Sequence, residues 1–332
     1  MKSVAVRKFL AFMRFCLWSA LVLVALTGSL FVWFVYTPAA EVPRLTGTLS
    51  KGSIEVAGIR RTYLTYVPRG LARGAPLVVV MHGSGQSGVQ VRSETGHGFD
   101  RLADQRRFVV VYPNAHAGYW DVCSRVGAIA AEPHAFDDIG FLTGVVDKLV
   151  AELGVDPGRV FAVGSSRGGS MALRLALEAP ARFRAVAAVS ASVPTPENFK
   201  CMTPTQGTSS VMIMNGTNDP IVPFDGGEVS LFGLFYKNGN MLSSRDSGQY
   251  FADLNHISGA PKSNEIPMAN GLHIEQVLWR NDSRVEVELV AIHGGGHGVP
   301  QPYQRRPRIL GPSAMEPNGP ALIWAFFERQ RT

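Results

Sequence analysis

Residues 160–169 read Val160-Phe161-Ala162-Val163-Gly164-Ser165-Ser166-Arg167-Gly168-Gly169. Four apolar residues with no polar interruption describe a strand covered on both faces. Gly164 to Gly168 then match G-x-S-x-G, and the apolar spacing of Met171, Leu173 and Leu175 opens a helix at once. A five-residue match carries little weight alone, but strand, tight turn and helix in succession form the setting of a nucleophile elbow. The turn holds Ser166 in an unfavourable backbone conformation, with glycines on both sides so that strand and helix can approach. The helix N-terminus favours negative charge beside it. Ser165 stands in the wrong register for this role.

Outward from this stretch, strand and helix alternate. Residues 54–67 alternate loosely around Gly58 as a leading hairpin. Pro76 to Met81, Phe108 to Tyr112, Ala185 to Val189, Val211 to Met214 and Val285 to Ile292 read as further strands. Helices are expected at Phe141 to Leu153, near Ser244 to Asn255, and at Ala321 to Glu328. This predicts an α/β fold of the α/β-hydrolase kind, a mostly parallel sheet with helices on both faces and ligands beyond the carboxyl ends of the strands. Residues 225–283 read as irregular, a cap or side wall to the site.

A serine hydroxyl needs a base. Of eight histidines, His297 stands in Gly294-Gly295-Gly296-His297-Gly298 just past the last strand, where a flexible glycine collar would let the imidazole swing over the elbow. His293 reads as a packed strand-end residue, and His97, His116, His134, His256 and His273 as loop residues. The imidazole in turn needs a carboxylate to fix its tautomer. Asp219, in the turn after Val211 to Met214, gives the chain order Ser166, Asp219, His297 that the fold requires. Asp137 and Asp138 precede the serine and read as helix caps. His82-Gly83-Ser84-Gly85 follows the first buried strand, so the backbone N–H groups of Ser84 and Arg167 are the expected oxyanion donors. The His82 ring is assigned to holding that loop.

The chain has 332 residues and a formal net charge of +6. Residues 1–44 hold five Lys/Arg against one acid, so the remaining body, with 27 basic and 25 acidic side chains, is nearly neutral. That removes the electrostatic case for nucleic-acid binding. Lys2, Arg7, Lys8 and Arg14 precede an uncharged run from Phe15 to Tyr36. At about 1.5 Å per residue this run spans roughly 33 Å, a bilayer core. The expected domains are a signal anchor over 1–36, a linker over 37–47 and a catalytic domain over 48–332. The charge bias places the N-terminus in the cytoplasm and exports the rest, inner-membrane anchored, or secreted if the segment is cleaved. Cys16 lies in the span. Export makes one Cys123–Cys201 bridge the economical reading, with two buried free thiols as its alternative. No Cys/His spacing suits a metal, and neither metal nor organic cofactor is expected.

From about Ile54 onward the chain resembles the exported esterases related to polyhydroxybutyrate depolymerases and to the feruloyl and acetylxylan esterases of carbohydrate esterase family one. The resemblance rests on Arg61-Thr62-Tyr63, Val67-Pro68, Met81 to Gln86, Tyr112 to Ala115 followed by Trp120, and Asp137 to Phe141. It continues through the elbow to Gly169, Gly216 to Pro223, Gly294 to His297, and Leu322 to Trp324. It implies the same triad, a place for Trp120 near the substrate, and the Cys123–Cys201 bridge. The family usually places Thr-Trp-Pro after the histidine, whereas this chain has Gly298-Val299-Pro300, so an aromatic wall is missing. The expected activity is a serine carboxylesterase acting on soluble short-chain or hydroxyalkanoate-type esters, small or oligomeric. The alternatives are a feruloyl or acetylxylan esterase, an acyl transferase using the same residues, and a catalytically silent binding protein.

Overall fold

A computed structural model describes residues 2–126, 136–204, 207–235, 237–268, 273–281 and 285–330. Helix α1 (Lys2–Phe34) carries an apolar span from Val6 to Phe34, none of it buried in protein. The leading hairpin is β1 (Thr48–Val56) and β2 (Ile59–Val67), turning at Gly58 as its alternation predicts. Then follow β3 (Leu77–Met81), α2 (Gly88–Glu94), α3 (Gly98–Arg106), β4 (Val109–Pro113) and α4 (Asp138–Leu153). Next come β5 (Val160–Ser165), α5 (Arg167–Glu178), β6 (Ala185–Val189), β7 (Ser210–Gly216), and the two-residue strands β8 (Gly227–Glu228) and β9 (Asn240–Met241). The chain continues through α6 (Ser244–Leu254), β10 (Lys262–Pro267), β11 (His273–Arg280), β12 (Glu286–Ile292) and α7 (Gly319–Arg329).

Ten strands form one sheet in the order β1-β2-β4-β3-β5-β6-β7-β12-β11-β10. The six central strands are parallel, and an antiparallel hairpin flanks each side. The apolar runs are buried on both faces for a geometric reason, since successive side chains point to opposite sides. Along β3, Leu77, Val79 and Met81 join the cluster under α4, α5 and α6. Val78 and Val80 join the cluster under α2, α3 and α7.

Residues 225–283 are more regular than their sequence suggests. Only part of this stretch, including Val229, Leu231, Asn238 and Met241, borders the cavity described below, while β10 and β11 extend the sheet. Edge strand β10 is mostly solvent-exposed and β11 mixes Glu275 and Gln276 with Ile274 and Val277, so neither presents a continuous apolar run. His273 accordingly lies in strand β11 rather than a loop, stacked 3.9 Å from His293. His134 lies outside the described residues. Asp137 caps α4 through Gly140 N–H, but Asp138 does not cap. It is buried in an ion pair with Arg61, 2.6 Å away.

Candidate active site

At the carboxyl end of β5, Ser166 has φ 56° and ψ −123°, a strained combination for any side-chain-bearing residue. The neighbours that enforce it are visible. A Cβ on Gly164 would collide with the Gly168 carbonyl, and one on Gly168 would lie 2.5 Å from the carbonyls of Met81 and His82. Ser166 N–H donates to Val189 O at 2.8 Å, fastening the elbow to β6.

Asp219 follows β7, and its carboxylate is fully engaged. Oδ1 accepts the backbone N–H groups of Ile221 and Val222 at 2.8 and 2.9 Å, and Oδ2 faces His297 Nδ1 at 2.7 Å. An acceptor at Nδ1 fixes the proton there and leaves Nε2 as the basic nitrogen. Ser166 and His297 line the same cavity. Among the described residues no hydrogen bond yet joins them, a separation common before substrate binds.

The glycine collar around His297 is pinned rather than swinging. Gly296 N–H donates to Pro312 O, His297 N–H to Leu310 O and Gly298 N–H to Ser190 Oγ. A Cβ on Gly296 would sit 2.5 Å from Leu310 O, so the glycine serves close packing.

Ser84 and Arg167 also line the cavity, with their backbone N–H groups unengaged among the described residues. His82 supports that loop from behind. Its Nδ1 donates to Gly83 O at 2.8 Å while Nε2 accepts the Ala115 N–H at 3.0 Å. Burial lowers the pKa of this ring, so it stays neutral and can accept at Nε2.

Trp120 is placed differently from the expectation. It does not line the cavity; its buried indole donates to His82 O at 2.9 Å, and its own carbonyl accepts Arg167 Nε at 2.6 Å. It braces the His82–Gln86 loop from the protein side because both its polar groups are already engaged there. Cys123 and Cys201 are bonded, and Cys123 O accepts Lys200 N–H. This staple lies behind Val122 and Ser124 of the cavity wall. Cys16 is free.

The cavity measures about 410 Å³. Ser166, His297, Ser84 and Tyr119 line it together with Ile221, Val222, Val229, Leu231 and Met241, which supply aliphatic surface. One network escaped the sequence reading. Gly83 N–H donates to Gln86 Oε1, Gln86 Nε2 to Glu94 Oε1, Arg306 Nη2 to Glu94 Oε2, and Arg306 Nη1 to His297 O. It ties the Gly83 loop to the His297 loop. Gln86 carries a faint signal through its place after the Met81 to Gly85 segment, but Glu94 and Arg306 lie 212 residues apart and carry none.

Comparison with known proteins places the chain among esterases. The family model described as "Putative esterase" matches residues 55–283. "Putative esterase NocK" of Nocardia uniformis is 31% identical over 290 residues, covering 83% of this chain and 81% of that protein. Feruloyl esterase C of Emericella nidulans is 28% identical, covering 61% and 69%. Poly(3-hydroxyalkanoate) depolymerase C of Paucimonas lemoignei is 27% identical, covering 71% and 58%. Among solved structures, an acetyl xylan esterase from Aspergillus awamori superposes with TM-score 0.51 at 19% identity, covering 76% of this chain and 95% of that one, which speaks to fold. The elbow, the sheet that carries it and these matches together make the chain a member of the esterase family, built on the α/β-hydrolase fold.

Proposed function

We propose that the protein is an exported serine carboxylesterase, held at the membrane by α1, that hydrolyses short-chain or hydroxyalkanoate-type esters. The observation that carries this reading is Ser166, strained on its elbow, sharing one cavity with a His297 whose Nδ1 is held by Asp219. Ser166 Oγ attacks the ester carbonyl while His297 Nε2 takes its proton. Asp219 stabilises the imidazolium, and the Ser84 and Arg167 N–H groups receive the charge on the carbonyl oxygen. His297 then protonates the leaving alcohol, and water activated by the same imidazole releases the acid. The basic residues in the first half of α1, its unburied apolar span and the Cys123–Cys201 bridge support export and anchoring. A feruloyl or acetyl ester of polysaccharide is the second reading, favoured by the relative named feruloyl esterase. The test is release of p-nitrophenol from esters of graded acyl length, beside Ser166→Ala. Turnover that declines with chain length and vanishes in the variant supports the proposal. Folded wild-type protein with no turnover above the variant defeats it.

A further inference from the structure

The end of α1 is not a loose tether. Arg308 places its guanidinium 3.6 Å from the centre of the Trp33 ring, in the last turn of the helix, and Gln304 Nε2 donates to Pro38 O at 2.7 Å. Ala40 is buried against the domain, Thr46 N–H donates to Asp104 and Gly47 N–H to the Tyr66 hydroxyl. Trp33 and Tyr36 are the amphipathic aromatics expected where a span leaves the bilayer. Pro38 lies four residues beyond Phe34, at most about 14 Å of chain. The segment around Arg308 therefore stands at the membrane surface.

That same segment backs the catalytic histidine. Leu310 O accepts His297 N–H, and Leu310 lines the cavity. From there the rim continues without a break. Gly311 packs against Pro220, and Ile221 O accepts Ser230 N–H at 3.1 Å. Leu231, which also lines the cavity, pairs with Phe235 across a short turn. The tip of that turn shows apolar side chains to solvent, with Phe232 60% exposed, Leu234 73% and Phe235 59%. Phe232 has φ +56°, a conformation costly for a bulky residue. A strained hairpin spending three large apolar groups on water is poorly explained by the domain's own packing. Residues 301–315 add Arg305, Arg306 and Arg308 with no acid among them, and Arg305 and Arg308 are exposed. Leu231, at the base of the tip, and Leu310, just after the arginines, line the same cavity, and an apolar tip together with exposed arginines suits an anionic lipid surface.

We infer that the mouth of the cavity opens onto the bilayer that α1 crosses, with the Phe232–Phe235 tip inserted in the lipid interface, and that amphiphilic esters lodged in that leaflet are substrates. This rests on the anchored esterase reading and names the class of ester it serves. The leaflet presents the ester group at headgroup depth, where Ser166 can reach it, while the tail stays in lipid.

The experiment uses the full chain in nanodiscs containing phosphatidylglycerol, with two butyrate esters, water-soluble p-nitrophenyl butyrate and bilayer-resident dodecyl butyrate. Butyrate release is followed for the wild type and for the combined Phe232→Ser, Leu234→Ser and Phe235→Ser variant. The expected result is a tenfold or greater loss of dodecyl butyrate hydrolysis, with p-nitrophenyl butyrate changed less than twofold. Equal effects on both esters overturn the inference. A Phe232→Trp variant reads the surface without turnover: the fluorescence it adds to that of the wild type, whose Trp33 already lies at the interface, is expected to be quenched by shallow doxyl lipids. Quenching by aqueous iodide instead, or burial by self-association, overturns it. Wild type inactive on p-nitrophenyl butyrate would defeat the esterase reading, while the quenching result would still decide the insertion.

Discussion

At the scale of single residues the site depends on side chains that are held, and on glycines that leave room. Asp219 accepts two backbone N–H groups besides facing His297, so Asp219→Asn disturbs both the local turn and the imidazole tautomer. A drop in kcat of about 10³–10⁴ with a smaller change in KM is expected from steady-state kinetics, because the asparagine amide no longer enforces a basic Nε2. Gly298 explains the missing Thr-Trp-Pro pattern. Its φ of +118° already strains any side chain, and a Cβ here would also overlap the Arg306 guanidinium, so the glycine makes the space that Arg306 fills. Gly298→Thr should therefore cost stability and activity, and Arg306→Ser should recover part of both when combined with it. A double-mutant cycle showing strictly additive losses would contradict this coupling.

Individual elements are tied together by buried polar groups. Arg61 of β2 and Asp138 at the start of α4 form an ion pair with 4% and 1% of their side chains exposed, and Asp138 Oδ2 also accepts Asp121 N–H beside Trp120. Burial raises the Asp138 pKa even with the Arg61 guanidinium beside it, which pulls the other way. Asp138→Asn strands the guanidinium, and chemical denaturation should show a loss of about 3–5 kcal/mol. His82 beneath the Gly83 loop supplies a pH signature. Burial, with a further push from Arg61, holds its folded pKa below the ordinary 6.5. The unfolded chain therefore binds the proton more readily, so the His82 contribution is complete above about pH 6.5 and is lost as pH falls towards the folded value. His82→Asn should flatten the fall in melting temperature below pH 6.5; an unchanged slope would place the titration elsewhere.

Across the whole molecule, the Cys123–Cys201 bond closes a loop of 78 residues that includes β5, α5 and β6. Reduction should lower stability by roughly 2–5 kcal/mol, read as a fall in melting temperature with dithiothreitol that Cys123→Ser/Cys201→Ser reproduces without reductant. Because Val122 and Ser124 line the cavity beside the bond, hydrolysis should decline before the fold is lost. At this scale the arginine-bearing segment meets the end of α1, although Trp33 and Arg308 are widely spaced in the chain, and Leu310 of that segment shares the cavity with Leu231 at the base of the apolar hairpin.

The central strands were legible because their side chains are apolar on both faces, and α4, α5 and α7 because their apolar residues recur at helical spacing. Ser166 was legible because a strand, a turn and a helix leave a local pattern, and Asp219 and His297 because each stands in a turn just beyond a strand. Tertiary structure alone decided that β10 and β11 join the sheet, since half-exposed edge strands bury too little to show a continuous apolar run. It decided that the Trp120 indole is buried on His82 O and does not line the cavity, because an indole has two sides and sequence does not say which is covered. Glu94 meeting Arg306, and Arg308 meeting Trp33, were likewise beyond reading. Local periodicity reports how one segment hides its own apolar surface, whereas partnership between distant polar groups exists only after the chain has closed on itself.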